Sequence, residues 1–104
     1  MNTRGKGTAF ERDVARAFES AGMTVRGLES GGDHFVIDAG GVTTHVECKR
    51  QERMQLPIWL RQQTRDCPKG TRRVLVFKQS REPMYAVVPF EQYLEDQRRL
   101  TDGR

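Results

Sequence analysis

With 104 residues and a formal net charge of +4, the chain has room for one domain with a modest core, which favours a surface groove over a deep, enclosed cavity. Hydrophobic residues make up 36% and charged residues 31%, the balance of a soluble globular domain rather than a disordered one. No apolar run approaches the roughly 20 residues of a spanning helix, and Met1-Asn2-Thr3-Arg4-Gly5-Lys6 lacks the apolar stretch of a secretory signal, so no membrane association and a cytoplasmic location are expected.

From Thr8 to about Ala21, the residues Phe10, Val14, Ala17, Phe18 and Ala21 recur at helical spacing, and Gly22 supplies a stop. Met23 to Arg26 reads as a short strand, followed by a loop of small residues, Glu29-Ser30-Gly31-Gly32. From Asp33 the period changes to two. His34 to Asp38 and Val42 to Arg50 are expected as strands joined through Ala39-Gly40-Gly41, a hairpin turn. In the second of these, Val42, Thr44, Val46 and Cys48 point one way and Thr43, His45, Glu47 and Lys49 the other. After a polar connection from Gln51 to Gln55, a second helix opens on Leu56-Pro57-Ile58-Trp59-Leu60, proline being tolerated in a first turn, and ends near Cys67-Pro68-Lys69-Gly70. Arg73 to Phe77 has the β-branched character of a central strand, and Met84 to Val88 is a further strand after a turn near Arg81-Glu82-Pro83. Pro89 starts a last helix with Phe90, Tyr93, Leu94 and Gln97 on one side, and Thr101 to Arg104 are expected to fray. The order α-β-β-β-α-β-β-α predicts an α/β fold, a mixed central sheet flanked by helices. Residues 1–104 would be a single domain with an ordered core at about 6–97. Cys48 and Cys67 lack C-x-x-C spacing and are expected as buried, reduced thiols.

Charge is unevenly spread. Between Lys49 and Arg81 there are ten Lys or Arg against two acids (Glu52 and Asp66), a local +8, while the remainder carries −4. Such a segment suits phosphate binding, although a solvated Arg-rich surface has the same composition.

Asp33, Glu47 and Lys49 form the pattern that carries chemistry. Asp33 enters one strand of the hairpin and Glu47 lies near the far end of the other, so the hairpin brings them together. Two neighbouring carboxylates resist ionisation unless a divalent cation sits between them. An oxygen-only pair in a shallow groove suits Mg²⁺, which keeps several waters and recruits phosphate oxygens, and the Cys48 backbone carbonyl would add another oxygen. Lys49, beside two acids, is expected to position the attacking water and to stabilise negative charge on a phosphorane-like transition state, not to act as a free base. The reaction would be phosphodiester hydrolysis. The competing reading is an exposed acid–base pair on an edge strand, worth about 0–1 kcal/mol.

Gly32-Asp33, the hairpin, and Glu47-Cys48-Lys49, preceded by a helix bearing Glu11, resemble the PD-(D/E)XK nuclease superfamily and its restriction-endonuclease-like core. Arg4-Gly5-Lys6-Gly7 leading into Phe10-Glu11-Arg12 is similar to the archaeal-type Holliday junction resolvases, which also occur in phages. The resemblance runs from about Arg4 to Arg50, with Gly32 standing where the family has a proline. It implies a Mg²⁺-dependent endonuclease, with Mn²⁺ substituting, acting on branched DNA as a homodimer in a prokaryotic or phage-infected cell. It casts Glu11 as the helix glutamate, Asp33 and Glu47 as metal ligands, Lys49 as the lysine and Ser30 as a loop serine. It also suggests a glutamine of the second helix at the site, Gln63 being preferred to Gln62.

Other roles compete for several of these residues. Thr8-x-x-Glu11 is also a capping box. Asp38 rivals Asp33, but it abuts the turn, where aspartate is ordinary. His45 shares the Glu47 face and is expected to be exposed. Trp59 is expected in the core rather than at an interface. Arg4, Lys6, Arg50, Arg53, Arg61 and Arg65 are candidate DNA contacts. The alternatives for the whole chain are a PD-(D/E)XK nuclease of restriction or repair type and a non-catalytic DNA-binding module. Binding alone needs no clustered acids facing phosphate, which disfavours the module.

Overall fold

The computed structural model describes residues 3–28 and 33–102, with side chains described within 9–28 and 33–101. Its elements are α1 (Thr3–Ser20), β1 (Thr24–Arg26), β2 (His34–Ala39), β3 (Val42–Arg50), α2 (Leu56–Asp66), β4 (Arg72–Lys78), β5 (Tyr85–Val87) and α3 (Phe90–Asp102). The order is the expected one; strand ends shift by a residue, and the larger differences are at the start of α1 and the end of α3. α1 begins at Thr3, so Arg4-Gly5-Lys6-Gly7 forms its opening turns instead of leading into it. A helical glycine costs about 1 kcal/mol against alanine, a penalty that an 18-residue helix packed along one side can absorb. Thr8 therefore lies inside the helix and not at its N-cap, which removes the capping-box role for Glu11. α3 runs on to Asp102, so Thr101 and Asp102 are helical.

α1 ends on the glycine that the sequence marked. Gly22 takes φ +98°, a conformation that strains any residue with a Cβ. The Met23 N–H then donates to the Phe18 carbonyl at 3.1 Å and the Gly22 N–H to that of Glu19 at 2.9 Å, the paired bonds of a Schellman cap. Phe18 and Met23 both pack on the core beside this cap.

The five strands form one sheet in the order β1-β2-β3-β4-β5. All neighbours are antiparallel except β3 and β4, which run parallel with α2 as the crossover between them. β3 consequently has a strand on each side, and it is not an edge strand.

Alternation along β2, β3 and β4 separates two environments. On one face Phe35, Ile37, Val46, Cys48, Val74 and Val76 meet Phe10, Val14 and Ala15 of α1 in the main apolar core. On the other face α2 covers the sheet. Trp59 is buried there, in the core as expected, with its ring centroid 6.1 Å from that of Phe77. Both cysteines are free and buried, also as expected. Among the described residues, no helix is long and apolar enough to cross a membrane.

Candidate active site

The parallel pairing of β3 with β4 decides what becomes of the polar side of β3. With strands on both flanks and α2 above, His45, Glu47 and Lys49 are 3%, 1% and 8% exposed. The E-x-K triplet is thus not a solvated pair on an edge strand. The expectation of an exposed His45 is overturned for the same reason.

Strand register then delivers Asp33. His34 pairs with Glu47, and the Cys48 N–H donates to the Asp33 carbonyl at 2.8 Å, which sets the Asp33 side chain beside the triplet. Lys49 Nζ lies 2.6 Å from Asp33 Oδ2 and 3.6 Å from Glu47 Oε2. Asp33 remains 44% exposed, so the cluster opens to solvent on that side. Glu11 enters from α1 and is 2% exposed. The Cys48 thiol registers the convergence: burial raises its pKa, and the charges of Glu11, Glu47 and Asp33 push it further in the same direction.

Burial and mutual repulsion set the electrostatics. Glu47 is pushed up to about 8, first by burial, then by the hydrogen bond its protonated form donates to Asp33 and by the Asp33 charge. Glu11 is raised to about 7 by burial and then by the Asp33 charge. At Asp33 burial works upward, but hydrogen bonds from Lys49 and Glu47 outweigh it and hold the carboxyl below its ordinary value. Two buried oxygens, Glu11 Oε2 and Glu47 Oε1, have no hydrogen-bond partner among the described residues. A buried acceptor left unmatched costs about 1–3 kcal/mol, and more when charged. A carboxylate oxygen of this kind is an ordinary ligand for a divalent cation, and a cation at Glu47 would favour the ionised form of the carboxyls near it.

His34, His45 and Glu47 also offer ligand atoms within 4.8 Å of one another. The buried Gln63 weakens that grouping. Its Nε2 lies 3.0 Å from the Val74 carbonyl and 3.1 Å from His45 Nδ1, so the amide donates to both. Burial, then the neighbouring His34, lowers the His45 pKa and keeps the ring neutral. With Nδ1 accepting, the proton sits on Nε2, which is then a donor and not a ligand.

Of the two glutamines considered, the structure brings Gln62 and not Gln63 to the cluster. Gln62 Oε1 is 3.5 Å from Lys49 Nζ, whereas Gln63 braces His45 and the sheet backbone. The signal was present in the helical spacing: Trp59 and Gln63, four apart, form the buried stripe, and the flanking Gln62 reaches the rim. Asp38 is remote from the cluster's chemistry, held by Arg26 and Thr43 at the hairpin end. Arg50, expected to meet DNA, is committed internally to Glu52, Ser80 and the Lys78 carbonyl. Arg53, Arg61 and Arg65 are exposed. Ser30 and the side chains of Arg4 and Lys6 lie outside the described residues.

A mixed sheet that joins an aspartate before β2, an E-x-K on β3 and a glutamate from the first helix defines a restriction-endonuclease-like domain of the PD-(D/E)XK class. The chain belongs to the family described as "Phage putative PDDEXK endonuclease", whose model matches residues 2–101. Its fold is similar to the solved structure of Archaeoglobus fulgidus Hjc, a Holliday junction resolvase from an archaeal hyperthermophile. That match has a TM-score of 0.54 at 19% sequence identity and covers 80% of this chain and 72% of that one. No curated protein matches the sequence.

Proposed function

We propose that the chain, as a single nuclease domain, is a Mg²⁺-dependent, structure-selective DNA endonuclease, a Holliday junction resolvase making paired nicks as a homodimer in the cytoplasm of a prokaryotic or phage-infected cell. The observation that carries this reading is the meeting of Asp33, Glu47 and Lys49, together with the buried Glu11 and Glu47 oxygens that have no hydrogen-bond partner among the described residues. Family membership supports a nuclease, and the fold likeness to Hjc supports branched DNA as its substrate.

Asp33 and Glu47 are the metal ligands in this reading, with the Cys48 carbonyl and Glu11 completing the oxygen set, and Mn²⁺ is expected to replace Mg²⁺. The bound ion would lower the pKa of a coordinated water and polarise the scissile phosphate. Lys49, placed between Asp33 and Glu47, orients the attacking water and offsets charge growing on the phosphate oxygens. Gln62 fixes the Lys49 ammonium from the α2 side. Arg53, Arg61 and Arg65, with Arg4 and Lys6, supply phosphate contacts. Two symmetric cuts need two sites, and one domain of this size offers one, which is the reason for the dimer.

The test is a labelled four-way junction and a linear duplex incubated with Mg²⁺ and wild type, Asp33→Asn or Lys49→Ala. Paired symmetric nicks confined to the junction are expected from wild type, and both variants should bind the junction but fail to cut it. Cleavage of both substrates would make the protein a general PD-(D/E)XK nuclease. Binding without cutting in Mg²⁺ or Mn²⁺ would reduce it to a DNA-binding module.

A further inference from the structure

α3 is amphipathic in the reverse of the usual sense. Its polar side faces the body of the protein: Asp96 accepts two hydrogen bonds from Arg72, at 2.7 and 2.8 Å, and Gln92 bonds both the N–H and the carbonyl of Arg73 at 2.9 Å. Its apolar side faces out. Phe90, Tyr93 and Leu94 are 71%, 50% and 39% exposed. With Gln97 they follow the i, i+3, i+4, i+7 spacing of a single helical stripe.

We infer that this stripe is the surface through which two copies of the chain associate, with α3 packed antiparallel to the α3 of its partner. This rests on the dimeric nuclease reading above and supplies the interface that reading lacks. Charge selects the orientation. Glu91 and Arg98 are seven residues apart, so they flank the stripe on the same side. When two antiparallel helices are related by a two-fold axis, like flanks meet, and each Glu91 falls beside the partner's Arg98. A parallel two-fold pair would bring opposite flanks together and leave both charges unmatched. Glu91 and Arg98 form no ion pair among the described residues, which keeps them available.

Size sets the strength. At roughly 200 Å² per aromatic side chain the exposed parts of Phe90, Tyr93 and Leu94 present about 300 Å² per copy. Two copies hide about 600 Å² of apolar surface, and with a polar rim of ordinary proportion the total reaches about 1,000 Å². That is the lower end for a specific interface and corresponds to a micromolar dimer. The pairing leaves the cluster of acids uncovered: α3 is tied at Arg72 and Arg73, while Glu47 and Lys49 lie level with Leu75 and Phe77 further along the strand.

Sedimentation equilibrium of the intact chain at about 5–200 µM, spanning the dissociation constant expected, tests the pairing. Wild type should show a monomer–dimer equilibrium, and Phe90→Asp should weaken it by at least about thirtyfold. Glu91→Arg and Arg98→Glu should each weaken it by about five- to tenfold, since two like-charge contacts form per dimer. The double variant should return to within about twofold of wild type. A wild-type monomer throughout this range, a Phe90→Asp dimer of undiminished strength, or a double variant as weak as the singles would each overturn the antiparallel interface. Circular dichroism of each variant separates lost association from lost folding. The junction assay separates this inference from the nuclease reading: a dimer that never cuts refutes the nuclease alone, and a cutting monomer refutes the interface and the dimer while leaving the nuclease.

Discussion

Val46 and Glu47 are neighbours on β3 and almost equally hidden, at 0% and 1% exposure, yet they belong to opposite kinds of interior. Val46 faces α1 among Phe10, Phe35 and Val74, where every contact is apolar and burial alone is favourable. Glu47 faces Asp33 and Lys49, where burial drives its pKa to about 8 and one oxygen finds no donor among the described residues. One strand thus carries a surface optimised for stability and another held at a cost. A buried polar group of this kind is costly to keep, which makes it a candidate functional position.

Substitutions on the two faces should move stability in opposite directions. Phe35→Ala on the apolar side should cost about 3–5 kcal/mol, a large share of the stability of so small a domain. Thermal melts in chelator should show this as a loss of more than about 10 °C. Glu47→Gln on the other side should leave the metal-free melting temperature unchanged or higher, because the amide matches a carboxyl that burial already holds protonated and cannot acquire a charge as pH rises, while cleavage falls by about a hundredfold or more. A Glu47→Gln protein that melts well below wild type would mean that Glu47 is structural and that the contrast between the faces is wrong.

The pH response sharpens the same contrast. Between about pH 4.5 and the raised values of about 8 for Glu47 and about 7 for Glu11, each carboxyl holds a proton in the folded chain that it lacks when unfolded. Folding takes up protons in that window, so stability should fall as pH rises through it. Asp33 acts the other way, its lowered pKa adding stability that is lost only as pH drops below its ordinary 3.8. Metal-free melting temperatures should therefore drop by on the order of 5–10 °C between pH 5 and pH 8.5, and added Mg²⁺ or Mn²⁺ should flatten the slope. A metal-free curve that rises over this range would contradict the assigned environments. The smallest effect is expected at Asp38, which is paired with Arg26 on the surface: Asp38→Asn should leave both cutting and melting close to wild type.

Much of this was legible in the sequence because periodicity is a local property. The change from helical spacing in α1 to alternation at Asp33 gave β2 and β3 nearly to the residue, and Gly22 marked a helix end that the structure caps as expected. What stayed hidden depends on pairing between distant segments. Alternation alone could separate the two sides of β3 but could not tell that β4 would lie parallel beside it and α2 above, so His45 read as exposed. Gly5 and Gly7 suggested an irregular lead-in, yet the extended helix outweighed their propensity. The choice between Gln62 and Gln63 turned on a rotation of one residue around α2, and Arg50 was engaged by the distant Ser80, which no local pattern reveals.

Cys48 has a practical consequence. Its thiol is buried in the apolar core, and Cys67 is buried as well, its Sγ turned to the Pro68 and Thr71 carbonyls. An alkylating reagent meets neither sulfur until the chain opens, so labelling with iodoacetamide amounts to a stopwatch for opening. Each divalent ion could be ranked by how far it slows that clock, without any nucleic acid in the tube.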